Sequence, residues 1–110
     1  MKPSEADIVH SVIAYLSIQG HYVWRNNTGM FKHNYTTKAG INKQSFVRAG
    51  MKGSADILGI AKDGKFIAIE CKVPGNKPTI LQEEFLRKIR ERGGYAVVAT
   101  SIDDVISNHL

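Results

Sequence analysis

Glu70 and Lys72 are two charged residues at the end of an otherwise apolar stretch, residues 66–73. Alternate side chains of an extended strand share a face, so the carboxylate and the ammonium are expected to point together, away from Ile69 and Cys71. Burying a charge costs several kcal/mol, so a core strand seldom carries such a pair without a partner or a task. The pair is either a structural ion pair or part of a chemical site, and Cys71 is interpreted as a core side chain.

The connection between strands 56–61 and 66–73 decides whether a second carboxylate joins Glu70. A two-residue turn would place Asp56 on the face away from Glu70. A three-residue loop, residues 62–64 with Gly64 in the left-handed conformation, places Asp56 directly opposite Glu70 on the same face. We predict the three-residue loop.

Facing carboxylates repel one another, and a divalent cation between them removes that repulsion. Oxygen ligands favour Mg²⁺ or Mn²⁺, so Asp56 and Glu70, with the backbone carbonyl of Cys71, are predicted to form an incomplete metal shell. Two structural alternatives stay open: Asp56 caps a turn after residues 53–54, and Glu70 forms a plain ion pair with Lys72.

The elements that must position these residues form one α/β domain, residues 1–110. We predict an α-β-β-β-α-β core with a mixed central sheet flanked by helices. The predicted segments are a helix from a capping box at Ser4 and Asp7 to Gly20, strands at 21–25, 56–61, 66–73 and 95–99, a helix from Thr79 to about Arg92, and a short terminal helix. Both central strands are apolar on both faces and are expected in the middle of the sheet.

The second helix is predicted to bury Leu81, Phe85 and Ile89 as its inner stripe. Its outer face is predicted to carry two i,i+4 ion pairs, Glu83 with Arg87 and Glu84 with Lys88.

The positive charge of the chain is concentrated in one block. The net charge is +5, and no acidic residue occurs between Asp7 and Asp56. Aromatic residues interleave this block, a pattern typical of surfaces that neutralise phosphates and stack bases. Residues 26–53 lack periodicity and are interpreted as a surface excursion with a short hairpin. The predicted nucleic-acid contacts are Arg25, Asn26, Lys32, Lys38, Lys43, Arg48 and Lys52, against the alternative of a merely solvated basic surface.

The single cysteine excludes an intrachain disulfide and a cysteine-based zinc site. No apolar run has the length of a membrane span or the pattern of a signal peptide. We therefore expect no membrane association and a cytoplasmic location.

Gly53-Ser54-Ala55-Asp56 followed by Glu70-Cys71-Lys72 resembles the split motif of the PD-(D/E)xK nuclease superfamily. More narrowly, the chain resembles the VRR-NUC family over nearly its whole length, in segments that also include Glu5, residues 25–29 and Gln82. Ala55 departs from the family, which usually has proline before the aspartate, although that proline shapes the backbone and supplies no ligand. The resemblance implies a stand-alone nuclease domain of the kind found in phages, with a restriction-endonuclease-like core. It also implies that the cytoplasm is that of a bacterial or phage-infected host cell.

The resemblance also implies that Glu5 completes the acidic cluster, directly or through a water molecule, and that Gln82 holds a water or a phosphate oxygen. Lys72 would orient the attacking water, help to deprotonate it and stabilise developing charge. The predicted catalytic set is thus Glu5, Asp56, Glu70, Lys72 and Gln82. Glu5 is also favoured at a helix start by the helix dipole, and Gln82, three residues after Thr79, also fits a capping box.

The expected function is metal-dependent DNA endonuclease activity. A preference for branched, Holliday-junction-like DNA is implied by the resemblance, and a two-fold-related substrate is cut most simply by a homodimer. Two alternatives remain: a nuclease of the same fold acting on duplex or single-stranded DNA, and a nucleic-acid-binding module without chemistry.

Overall fold

The computed structural model describes residues 2–27 and 29–110, except for the side chains of Met30, Phe31, Arg48 and Ala49. The elements are α1 (Glu5–Ile18), β1 (Tyr22–Arg25), β2 (Gly29–Thr36), β3 (Asn42–Ala49), β4 (Ile57–Ile60), β5 (Phe66–Cys71), α2 (Ile80–Glu91), β6 (Tyr95–Ala99) and α3 (Ile102–Ser107). The predicted α/β class is confirmed, and so is the α-β-β-β-α-β order once the β2–β3 excursion is set aside.

The central sheet has the strand order β1-β4-β5-β6. The β1–β4 and β4–β5 pairs are antiparallel, whereas β5 and β6 are parallel and are joined through α2. A tight turn reverses the direction of the chain and so joins antiparallel strands, whereas a parallel pair needs a crossover of this kind. The sheet is therefore mixed, with β4 and β5 in its middle as predicted.

Helix α1 begins with the predicted capping box. Asp7 N–H donates to Ser4 Oγ at 3.1 Å, and Ser4 N–H donates to Asp7 Oδ2 at 2.9 Å. Its buried face packs on one side of the sheet in a core that includes Ile8, Val9, Val12, Leu16, Ile57, Ile67 and Ile69. Burial of each such side chain stabilises the fold by about 1.5–3 kcal/mol, so packing fixes the helix on the sheet.

Helix α2 packs on the other side of the sheet and faces it with part of the predicted stripe. Leu86 is its buried residue, Phe85 and Ile89 are partly buried, and Leu81 is 45% exposed. The predicted stripe was thus wrong at Leu81, because the first turn of α2 lies over the segment before β4, where Leu81 approaches Gly53.

The outer face of α2 carries one of the two predicted ion pairs. Lys88 pairs with Glu84 at 3.2 Å, but Arg87 pairs with Glu91 at 2.7 Å and not with Glu83. Within the described ranges, no helix is long and apolar enough to cross a membrane.

The β2–β3 excursion is an antiparallel hairpin that forms its own two-stranded sheet. It is longer than the predicted short hairpin, with strands of eight residues each. The long axis of the molecule measures 58 Å against 37 and 28 Å across it, an elongated shape for a chain of this size.

Candidate metal and catalytic site

The loop between β4 and β5 has the predicted three residues. Ile57 pairs with Ile69, and Ala61 N–H donates to the Lys65 carbonyl at 2.8 Å, which leaves residues 62–64 as the loop. Gly64 has φ +87°, the left-handed conformation that the prediction required. The same register continued by one residue sets Asp56 opposite Glu70.

Three carboxylates meet where β4 begins and β5 ends. One oxygen each from Glu5, Asp56 and Glu70 lies within 4.8 Å of the other two. Glu5 is the first residue of α1, so the capped helix start brings this side chain to the end of the sheet. The structure therefore unites residues that are 65 positions apart in the chain.

Glu70 is the buried member of the cluster, at 1% exposure. Its Oε1 lies 3.6 Å from Lys72 Nζ, and its Oε2 is buried without a hydrogen-bond partner among the described residues. Burial, and next the nearby Asp56 carboxylate, raise the pKa of Glu70 to about 8, although Lys72 opposes this shift. An added cation would satisfy the unpaired oxygen and the excess negative charge together.

Asp56 and Lys72 are held by backbone groups of the sheet. The Cys71 N–H donates to Asp56 Oδ2 at 2.8 Å, and the Lys72 N–H continues the parallel pairing by donating to the Ala99 carbonyl at 3.0 Å. The Cys71 side chain is fully buried, and burial followed by the Asp56 charge raises the pKa of its thiol to about 12. A thiol in this state is a poor nucleophile.

Asn26 and Ser54 fix the segment that leads into Asp56. The Asn26 amide donates to Ser54 Oγ at 2.7 Å and to the Ala55 carbonyl at 2.9 Å, and the Ser54 hydroxyl donates to the Met51 carbonyl at 2.6 Å. The Asn26 backbone N–H also donates to the Asp56 carbonyl at 2.7 Å. The amide donors of Asn26 are thus used in hydrogen bonds within the protein that position the segment before Asp56. Sequence reasoning missed this positioning role. An asparagine directly after a strand was the available signal.

Gln82 lies in the capping box of α2. Its Oε1 accepts from the Thr79 N–H at 2.9 Å, and its own N–H donates to Thr79 Oγ1 at 3.2 Å. The structural alternative for Gln82 is therefore observed, and its catalytic role stays a prediction.

Among the predicted nucleic-acid contacts, the Asn26 amide lies beside Asp56, and the other side chains that the structure describes are exposed. Arg25 is exposed at the end of β1, and Lys52 is exposed shortly before β4. Lys32, Lys38 and Lys43 are exposed on the β2–β3 hairpin and its tip, whereas the Arg48 side chain lies outside the described residues.

The fold and the site define an α/β domain with a carboxylate cluster that could hold a metal ion, next to a lysine. Carboxylate oxygens suit hard divalent cations.

No protein-family model matches the chain. A protein of Acyrthosiphon pisum secondary endosymbiont phage 1, named "Putative nuclease p44", is similar to it, with 38% identity over 58 residues. The alignment spans 53% of this chain and 62% of that relative.

Proposed function

We propose that the chain is a metal-dependent DNA endonuclease of the PD-(D/E)xK type, close to the VRR-NUC family. The observation that carries this proposal is the convergence of Glu5, Asp56 and Glu70 within 4.8 Å, beside Lys72. The likeness to a phage protein named as a nuclease supports the same class of activity.

Asp56 and Glu70, with the backbone carbonyl of Cys71, would hold Mg²⁺ or Mn²⁺, and Glu5 would complete the shell directly or through a water. When bound, the ion supplies Lewis-acid polarisation of the phosphate and makes an attacking water more acidic. Lys72, with its ammonium 3.6 Å from Glu70, would orient that water and stabilise negative charge at the phosphate. The Asn26 amide keeps Asp56 in place, and Gln82 would add a contact to a phosphate oxygen.

The proposed substrate is branched DNA of the Holliday-junction kind, and the proposed active form is a homodimer. The preference for branched DNA rests on the resemblance of the sequence motifs. The dimer has separate support, because four apolar side chains stay exposed on one face of the sheet: Tyr22, Trp24, Ile60 and Phe66.

Cleavage assays on four-way-junction, duplex and single-stranded DNA test the proposal, each with Mg²⁺, Mn²⁺ and EDTA. Glu70→Gln and Lys72→Met are expected to slow cleavage about 100-fold or more, because each removes a charge at the reacting centre while nearly preserving shape.

Glu84→Gln is the matched control, since it removes a carboxylate on α2 outside the cluster and should cleave like the wild type. Equal nicking by Glu70→Gln and wild type would contradict the proposal. Tight DNA binding with no cleavage under any metal would favour the binding-module alternative.

A further inference from the structure

The β2–β3 hairpin is a two-stranded ribbon whose described side chains are mostly exposed. Its described large apolar side chains are exposed, with Tyr35 at 42%, Phe46 at 65% and Val47 at 52%. An isolated two-stranded hairpin is marginally stable in water, because it has no second layer to cover its faces. A ribbon of this kind is stabilised when a partner lies against it.

The charge of the ribbon selects a polyanion as that partner. Exposed lysines lie on β2, at the tip and on β3, namely Lys32, Lys38 and Lys43, and the sequence from residue 8 to residue 55 contains no aspartate or glutamate. An acidic protein surface would also be attracted to these lysines. The regular phosphate spacing of a duplex, however, matches lysines distributed along an extended ribbon.

The register divides the ribbon into two faces. Asn34 pairs with Gln44 and Lys32 with Phe46, so these four side chains lie on one face. The next pair on this face, Thr36 and Asn42, is joined by a side-chain hydrogen bond of 3.0 Å. This face therefore presents exposed amides in a row, and side-chain amides are the groups that pair with adenine in the major groove.

The size of the ribbon fits that groove. The major groove of B-DNA admits a two-stranded β-ribbon, whereas the minor groove is about half as wide. Eight residues at about 3.3 Å each give a strand of about 26 Å, the length of about eight base pairs.

The ribbon is also connected directly to the metal site. β2 follows β1 through Asn26, and β3 leads back to Asp56 through Ser54, with the hydrogen bonds from Asn26 tying both ends together. A duplex held on the ribbon thus lies next to the carboxylates.

We propose that the β2–β3 ribbon enters the major groove of a duplex arm of the substrate, with Asn34 and Gln44 facing base edges. Lys32 of the same face and Lys38 of the tip would reach the phosphates of the groove walls, whereas Lys43 lies on the opposite face. This inference rests on the proposed function, since it specifies how the same DNA is held beside the metal site.

Binding to a fluorescent 20-base-pair duplex in EDTA, followed by anisotropy over a range of salt concentrations, tests the ribbon separately from cleavage. Lys32→Ala/Lys38→Ala is expected to weaken binding about tenfold and to reduce the slope of log K against log salt by about 1.8, the value for two lost phosphate contacts. The control Lys62→Ala/Lys65→Ala removes two exposed lysines at the far end of β4 and β5 and should bind like the wild type. Melting temperatures show that each variant is folded.

The groove is identified by modified DNA. A duplex with bulky substituents at C5 of its pyrimidines, which fill the major groove, should bind about tenfold more weakly, whereas distamycin in the minor groove should leave binding unchanged. Asn34→Ala/Gln44→Ala should weaken binding at an unaltered salt slope, because it removes no charge.

Unchanged binding by the lysine variant, or inhibition by distamycin and not by the major-groove substituents, would overturn the inference. Failure of the proposed function gives a different result: ribbon-dependent binding would persist, and no metal would support cleavage. Cleavage by wild type and lysine variant alike, at equal affinity, would leave the nuclease in place and reject the ribbon.

Discussion

The position of Glu70 in the sheet could be predicted from residue spacing, whereas its burial depends on tertiary packing. Its position opposite Asp56 followed from one loop length, and Gly64 made that length predictable because glycine tolerates positive φ. Its near-complete burial could not be predicted, nor could an Oε2 without a hydrogen-bond partner in the described part of the chain, since both depend on how α1 and the sheet close around the cluster. Asn26 escaped prediction for a related reason, because its partners lie 28 and 29 residues away.

The raised pKa of Glu70 predicts a pH dependence of stability in the metal-free protein. In the folded state the Glu70 carboxyl keeps its proton up to about pH 8, whereas in the unfolded chain it loses the proton near its ordinary pKa of 4.5. Between these values the folded state binds more protons, so the free energy of unfolding falls as pH rises. Urea unfolding in EDTA from pH 5 to 8.5 measures this slope.

Glu70→Gln is the control for this titration and should show a flatter dependence on pH over the same range. Mn²⁺ competes with the proton, so its stabilising effect on the wild type should grow with pH. Equal slopes of the free energy of unfolding against pH for wild type and Glu70→Gln would contradict the assignment of this proton to Glu70.

At the scale of the elements, strands and helix starts were predictable because each has a local signal. The Ser4–Asp7 capping box fixed the start of α1, and the apolar runs fixed β4 and β5 in the centre of the sheet. The buried face of α2 was predicted in part, because Phe85 and Ile89 pack against the core as expected, whereas Leu86 is buried and Leu81 is not. Leu81 instead approaches Gly53, which is 28 residues away in the sequence, and no local pattern predicts that contact.

That contact predicts a strong effect of Gly53→Ala. Gly53 has φ +85°, and a Cβ there would lie 2.8 Å from Leu81 Cβ and 2.9 Å from the Leu81 carbonyl oxygen. We expect a loss of about 2 kcal/mol or more in the free energy of unfolding, and slower cleavage because the segment that carries Asp56 must shift.

Gly75→Ala is a matched control, with φ +96° and nothing within 4 Å of the added Cβ. The difference between the two variants in urea unfolding isolates the contact with Leu81. If Gly53→Ala is no less stable than Gly75→Ala, α2 does not pack on this segment as described.

At the scale of the whole molecule, α2 covers only part of its side of the sheet. It packs near Ala68 and Ala96, while the Tyr22 and Trp24 side chains of β1 are exposed. Tyr22 and Ile60 are cross-strand partners, as are Ile60 and Phe66, so these side chains share one face with Trp24. Contiguous apolar surface of this kind marks an interaction site more often than a solvated face. A two-fold dimer would bury it on both copies and would set two metal sites in a symmetric pair.

This surface predicts a mass in solution of twice the 12.2 kDa of the chain, measured by light scattering after gel filtration. Ile60→Lys places a charge in the centre of the patch and should yield the monomer. Ile106→Lys, at a similar exposure of 51% against 46% but on α3, should remain dimeric. A monomeric wild type, or a dimer that survives Ile60→Lys, would reject this face as the interface. If dimerisation is what couples two incisions, Ile60→Lys should still nick DNA through its intact carboxylate cluster but lose paired cleavage of a four-way junction.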